Sequence, residues 1–535
     1  MNYFVEDFTS EEKKILTKYF TNTDKPVFGL INLPEAVKGA LFARYSRSEK
    51  SLRRLFLDEF YNEESGEAVH ETSVGLNRAS DLYDKMILLF GDDSVAQLGG
   101  AHVACEQVSN ILAKVLEKGR IASYLEQSTR YVFYNQKIGG KYKYILPSEI
   151  DDPQLRQETD AYLTELFDVY SQLIQDLQPL LKEKFPKTEE QTVRAWESTI
   201  KAKACDIARG LLPGATKTNL GIFATGQSLE YLLVKMFASD NKEVREYGKM
   251  LLEELRKIIP SFLKRVDLED RGVAWSKYLS DIRHSISRLN VTQKQSAEPS
   301  DNNIKVSLTE WDENALDKIV EAILYEYSEL SDDELTNYVN TLNETDKQNI
   351  YLRYAGNRAN RRHKPGRALE SVYYRFDILS DYGAFRDIQR HRMLTIDWQR
   401  ITPHYGYVIP YDLEQYPQLK KAYTDVLEKT KPVYEKIAGK YGYEIAQYVI
   451  PFAYKMRYSI KMNLREAFHL IELRSQKQGH PSYRKICHDM IDEMKDKAKH
   501  DFFVKSMNFV DYSPYYELSR EDSEKNIDRK LRNND

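Results

Sequence analysis

Arg390-His391-Arg392 sets two guanidiniums and an imidazole in three consecutive positions. The forked donors of arginine suit phosphate and carbonyl oxygens, so such a triplet at a helix end can converge on one anion. A second basic run, Arg353, Arg358, Arg361, Arg362, His363, Lys364 and Arg367, is interleaved with Asn357 and Asn360 and closed by Pro365-Gly366. That composition is usually a solvated face, with a contact to a polynucleotide or a cofactor phosphate as the alternative. The histidines, among them His469, His480 and His488, form no HExxH pattern. Cys105, Cys205 and Cys487 lie far apart without a CxxC pair. Neither a metal site nor a disulfide framework is expected.

These groups need elements to hold them, and the elements come in two sets. A helical pattern runs into Lys118-Gly119-Arg120 and another into Arg390-His391-Arg392. Each is followed by an extended segment, ending at Tyr144-Ile-Leu-Pro147 in one case and Tyr407-Val-Ile-Pro410 in the other. Leu212-Pro213 then precedes Thr225-Gly226-Gln227 by the spacing at which Ile450-Pro451 precedes Asn463-Leu464-Arg465. Order and spacing preserved twice indicate an internal duplication. Each copy opens on a short apolar run, 26–31 and 304–308, read as a strand. Apolar residues at three- and four-residue spacing predict helices over 152–184, 242–263, 313–326 and 412–438.

A chain of 535 residues exceeds what one core usually serves, which agrees with two domains. The divisions expected are a first unit 1–289, a polar linker 290–303, a second unit 304–518 and a charged tail 519–535. The fold class expected is α+β and helix-rich, each unit a small mixed sheet packed with long helices. With 41% hydrophobic and 30% charged residues the chain is ordinary globular protein. A net charge of -4 offers no global attraction to nucleic acid or acidic lipid. No apolar run approaches the roughly 20 residues of a membrane span, and the N-terminus lacks the order of a secretion signal. A cytoplasmic protein is expected.

The stretch Arg120-Ile-Ala-Ser-Tyr-Leu-Glu126-Gln127-Ser128-Thr129-Arg130-Tyr131, led by 91–102, resembles flavin-dependent thymidylate synthases, whose signature is RHRxxSxNEQSxRY. Ala40 to Ser46 resembles the same family's early helix. The second copy carries complementary pieces: intact Arg390-His391-Arg392, then Asn463, Arg465, Arg474 and Arg484, similar to the family's NxR…LR…R helix. The resemblance implies substrate-binding roles for Glu126, Ser128, Arg130, Arg209 and Arg474, and cofactor-binding roles for Arg390, His391, Arg392, Asn463 and Arg465. It implies reductive methylation of dUMP to dTMP, with methylenetetrahydrofolate as carbon donor, NADPH as reductant, FAD as relay and no covalent protein nucleophile. Two chains of two units would form a homodimer arranged as a pseudo-tetramer.

Neither copy matches completely. The first has Lys118-Gly119 for Arg-His, Gln227 for the helix arginine and Met236 for the later one. The second has Trp398 for glutamate, Arg400 for serine, Thr402 for arginine, and Gln447 where the first retains Arg209. The losses are complementary, so one site divided between unlike halves is expected. Two other readings stay open at this level: a flavin- or nucleotide-binding homologue without turnover, and an RNA-binding protein that uses the Arg353 to Arg367 run.

Overall fold

Runs of β-branched and aromatic residues make strands, and here they do so twice in the same order. The computed structural model describes residues 6–45, 48–62, 67–68, 97–189, 191–289, 303–515, 517–518, 521 and 524–525. Ser46, residues 91–96, nearly all of the expected linker and most of the expected tail lie outside these. Nine strands are described: β1 Tyr61–Asn62, β2 Glu67–Ala68, β3 Gly100–Ser109, β4 Ala122–Glu126, β5 Lys217–Thr225, β6 Lys305–Trp311, β7 Tyr373–Asp381, β8 Leu394–Trp398 and β9 Lys455–Asn463. The chain is a helix-rich α+β protein.

Two compact units form, and they are not successive along the chain. The first comprises Met1–Glu106, Val115–Glu126 and Asn219–Thr292; the second comprises Gln107–Lys114, Gln127–Thr218 and Gln293–Asp535. The second unit therefore takes a long stretch of the first sequence copy, including the loop that begins at Gln127.

In the first unit the sheet has the order β3-β5-β4, with Glu126 opposite Leu220 in the antiparallel β4–β5 ladder. Thr225 accepts from the Ser228 amide and caps the helix Gly226–Phe237. The next helix, Lys242–Arg256, buries Val244, Leu251, Leu252 and Leu255 on one stripe. It stops before the expected 263 because Pro260 would clash with the carbonyl four residues back, and 260–267 winds as a 3-10 turn instead. The expected strand at 26–31 is reduced to a single bridge between Leu30 and Phe20. Pro26 has no amide to give to a ladder, and Asn32 leaves the strand region at a φ of 54°.

The second unit holds the antiparallel sheet β6-β7-β9-β8. Its three-strand portion β7-β9-β8 repeats β3-β5-β4, with β6 added at the edge. On β9, Met456, Tyr458, Ile460 and Met462 alternate into the core. The helix Pro153–Lys184, capped by Asp152, buries an apolar stripe from Leu155 to Leu181. The helix expected over 412–438 is broken into a 3-10 turn Tyr411–Gln415 and two helices, Pro417–Glu428 and Thr430–Tyr441. Pro417 starts the first of these, and Pro432 ends it at the residue four positions earlier, by the same clash as Pro260. The equivalent dipeptides of the two copies meet here: Pro213 bridges Pro451 antiparallel, Gly214 donates to Ile450 O at 2.9 Å, and Phe452 donates to Leu212 O at 2.9 Å.

Candidate functional site

Nine of the ten residues singled out for binding lie in the second unit; Glu126, the buried last residue of β4, is assigned to the first. The loop after β4 delivers Ser128 and Arg130. Ser128 Oγ accepts from the Arg130 amide at 3.2 Å, a local turn that fixes the loop. The Arg130 side chain is buried and forked onto Asp206, with both N–H···O contacts at 2.6 Å. Its third nitrogen, Nη1, donates to Tyr483 Oη at 2.9 Å, and Nη2 also donates to Gln478 O at 3.2 Å. This bidentate geometry orients the guanidinium in a plane.

Arg209 ends the helix Val193–Ala208 and enters a 3-10 turn. It is buried and donates to Asp387 Oδ2 at 3.4 Å. Burial works against ionised Asp387, yet Arg209, Arg390, Arg474 and Arg130 together overcome it and hold the acid far below the usual carboxylate range. Four arginines, two from each sequence copy, therefore act on one carboxylate.

The helix Tyr382–Ile388, capped by Asp381, ends just before Arg390-His391-Arg392. Arg390 and Arg392 are exposed, whereas His391 is buried. Arg474 Nε donates to His391 Nε2 at 3.0 Å, so Nδ1 carries the proton and donates to Glu466 Oε1 at 2.9 Å. Burial and the Arg474 charge push His391 down to about 4 despite Glu466. Burial opposes ionisation of Glu466, but hydrogen bonds from His391 and His469 hold it down to about 2. The pair is a neutral imidazole on a carboxylate.

His391, Glu466 and His469 bring ligand atoms within 4.8 Å of one another, the grouping among the described residues that could hold a metal ion. Both His391 nitrogens are already engaged, one by a guanidinium, so the hydrogen-bonded chain accounts for the arrangement.

Asn463 caps the helix Leu464–Arg474, its Oδ1 accepting from Glu466 N at 2.8 Å. Arg465 donates to Pro365 O at 2.8 Å and Glu370 Oε1 at 2.9 Å, tying the end of the basic run to this helix. Arg358, from the middle of that run, is forked onto buried Glu472 between Phe468 and Phe509. That part of the run is interior structure. Arg484 is buried and gives its donors to the carbonyls of Ser475, Asp511, Ser513 and Pro514.

A dinucleotide cofactor of the kind the resemblance implies needs cationic donors for its phosphates. Exposed Arg390 and Arg392 have that chemistry; His391, Asn463 and Arg465 act here on the protein itself. Sequence reasoning missed Asp206, Asp387, Tyr483 and Glu466. Asp206 and Asp387 stand three positions before Arg209 and Arg390, a helical spacing that could have flagged them.

The residues that stand in place of the lost signature groups do other work. Trp398 packs edge-on to Phe385 at 5.3 Å, Arg400 pairs with Glu444, and Gln447 accepts from Ile401 N at 3.0 Å. In the first unit, Met236 is fully buried.

The pattern of the family described as "Thymidylate synthase complementing protein" matches residues 39–261 and 307–498. A "UPF0159 protein" of Chlamydia muridarum is 40% identical over 518 residues, covering 95% of this chain and 96% of the relative. "UPF0159 protein Ta1429" of Thermoplasma acidophilum is 30% identical over 505 residues, 89% of this chain and 96% of the relative. A "Flavin-dependent thymidylate synthase" of Clostridium tetani is 26% identical over 180 residues, 34% of this chain and 67% of the relative. With its two matched segments and its duplicated sheet order, this chain belongs to the thymidylate synthase complementing protein family.

Proposed function

We propose that the protein binds FAD and methylates dUMP reductively to dTMP, with methylenetetrahydrofolate as carbon donor and NADPH as reductant. One observation carries this reading: Arg130 from the first copy and Arg474 from the second both place their guanidiniums over the ring of Tyr483, at 5.8 and 5.7 Å, within one compact unit. Neither copy has the full set of groups, and the pairing of unlike copies supplies it.

In this reading Arg130, Arg209 and Arg474 bind the nucleotide by charge and forked hydrogen bonds, and Ser128 orients it. Arg390 and Arg392 hold the cofactor phosphates. Bound FAD would supply the hydride and carbon relay, as flavin chemistry does elsewhere. The cysteines offer no competing nucleophile. All three are buried, and burial pushes Cys105 up to about 11 and Cys487 up to about 12, so neither is a thiolate near neutrality. His391, held neutral by burial and the Arg474 charge, accepts from Arg474 and positions it. Two chains would associate as a homodimer with four sequence copies and two working sites.

A second reading, a nucleotide-binding homologue without turnover, is favoured by Arg130 and Arg209 being already committed to Asp206 and Asp387. Two measurements separate them. Purified protein should show flavin absorbance or take up added FAD at micromolar concentration, and it should form dTMP from dUMP with the folate and reductant present. Flavin uptake without dTMP formation supports the second reading; a colourless protein that takes up no FAD removes the first and leaves the second.

A further inference from the structure

The basic run 353–367 anchors some of its residues inside the second unit and turns others outward. Arg358 is forked onto buried Glu472, and Arg465 of the helix Leu464–Arg474 reaches Pro365 O and Glu370. Glu472 and Arg465 stand seven positions apart on that helix, so the loop between the two anchors is laid along about 10 Å of it. The loop is also stitched to itself. His363 Nδ1 accepts from the Ala359 amide at 3.3 Å, the His363 carbonyl accepts from Arg358 Nε, and Asn360 Oδ1 accepts from the Arg362 amide at 2.9 Å. It closes on Tyr354, whose hydroxyl accepts from the Ala368 amide at 3.1 Å. A Cβ at Gly366 would sit 2.1 Å from that oxygen, so a side chain there would push the ring away.

What this leaves outside is cationic and without counter-ions. Arg353, Arg362, Lys364 and Arg367 are exposed and Arg361 is half-buried. Arg353, Arg361, Arg362 and Lys364 form no ion pair among the described residues. The acids that the run does meet are engaged, Glu472 by Arg358 and Glu370 by Arg465 and Arg367. From Lys347 to Leu369 the sequence has no Asp or Glu, whereas an ordinary solvated surface intersperses both signs.

The layout decides which anion fits. Arg361, Arg362 and Lys364 fall between the two anchors, along a track rather than around a point, which suits several anionic groups strung on one chain. A polynucleotide is such a chain, but single-stranded nucleic acid is also held by stacking its bases on aromatic rings. No Phe, Tyr or Trp stands between Ala355 and Arg367, and the whole protein carries a net charge of -4. The helix that anchors the loop also carries the candidate site: Glu466 accepts from His391, and Arg474 donates to it. The anionic chain that belongs beside that site is the one on the carbon donor, since a folate ends in glutamate and γ-linked glutamates extend it carboxylate by carboxylate.

We propose that the outward cations of this loop, Arg361, Arg362 and Lys364 foremost, form a subsite for the oligo-γ-glutamate tail of the folate co-substrate. This rests on the reductive methylation proposed above. Arginine forks take both oxygens of a carboxylate, and a loop already stitched in place loses little freedom on binding. The tail then adds affinity without touching the reacting atoms.

The test is calorimetric titration of the full-length protein, supplied with FAD and dUMP, with tetrahydrofolate bearing one glutamate and tetrahydrofolate bearing five. An exposed ion pair is good for about a two- to threefold gain, so three should make the pentaglutamate bind about tenfold more tightly than the monoglutamate. Raising the salt should shrink that difference. In the triple variant Arg361→Gln, Arg362→Gln, Lys364→Gln the two folates should bind alike, at the parent's monoglutamate affinity, with FAD uptake read by absorbance unchanged. The double variant Arg362→Gln, Lys364→Gln, at exposed positions only, serves if the triple fails to fold and should lose most of the difference. Equal affinity for the two folates in the parent protein, or a difference that survives in the variants, overturns the proposal. Loss of FAD uptake in the variants overturns it in favour of the cofactor phosphates. An oligouridylate that binds more tightly than the pentaglutamate, and loses that binding in the variants, overturns it in favour of RNA. The monoglutamate tests the reaction by itself: if it binds and the pentaglutamate gains nothing, the track falls and the reaction stands. If neither folate binds, the reaction falls and takes the track with it.

Discussion

Arg130 and Arg474 stand over the same aromatic ring, their guanidinium carbons 5.8 and 5.7 Å from the centroid of Tyr483. One comes from each sequence copy. If this is where the nucleotide binds, each chain has one site to which both copies contribute, and titration of dUMP should give one equivalent per chain. Arg474→Ala removes a charged donor and should weaken dUMP by roughly ten- to a hundredfold, about 1.5–3 kcal/mol. Two equivalent nucleotides per chain, or unchanged affinity in this variant, would count against the divided site.

Arg130 needs a different treatment because it is already half of a buried ion pair. Arg130→Met leaves Asp206 buried without its partner and should cost about 3–5 kcal/mol of stability. Combining it with Asp206→Leu should restore most of that loss, since a packed apolar pair of similar volume replaces the ions. Denaturant midpoints of the two singles and the double measure the coupling. A double variant as unstable as the sum of the singles would show that the two residues do not act as a pair.

Stability should fall on acidification with a recognisable window. His391 is held at about 4 against an ordinary 6.5, so between these values the unfolded chain takes up a proton that the folded chain refuses. Its contribution is complete above pH 6.5 and declines toward pH 4, by up to about 1.4 kcal/mol per pH unit. Glu466, at about 2 against 4.5, continues the decline from pH 4.5 to 2. His391→Gln should flatten the slope of unfolding free energy between pH 4 and 6.5 relative to the parent protein. An unchanged slope would mean that His391 is not buried neutral.

Gln447 occupies in the second copy the position of Arg209 in the first, and it serves the backbone: it accepts from Ile401 N and donates to Glu444 at 3.0 Å. Gln447→Ala should cost about 1–2 kcal/mol in stability and leave dUMP affinity and stoichiometry unchanged. A drop in nucleotide affinity would place a second working site near Gln447.

The duplication was legible because spacing survives divergence: Leu212-Pro213 and Ile450-Pro451 could be matched by their distance to the next helix, and they lie against each other in the fold. The cations of the candidate site were legible for the same reason. Their counter-ions were not. Asp206 lies 76 positions from Arg130, Asp387 lies 178 from Arg209, and Tyr483 lies 353 from Arg130, separations at which local periodicity carries no information. Element ends failed where proline intervened, at Pro260 and Pro432, since apolar spacing continues through a residue that the backbone cannot continue through. The basic run was read by composition, which cannot tell exposed Arg362 from Arg358, buried on Glu472.

The antiparallel meeting of Pro213 with Pro451 has a consequence for how the protein can change. Between separate identical subunits such a contact dissolves on dilution, and every mutation appears on both sides of the axis at once. Joined in one polypeptide, the two sides meet at a local concentration fixed by the tether, whatever the level of expression. Each side also inherits its own mutations. A residue useful on one side and useless on the other can then be lost from the second alone, and Arg209 in one copy with Gln447 at the matching position of the other is a difference of that kind.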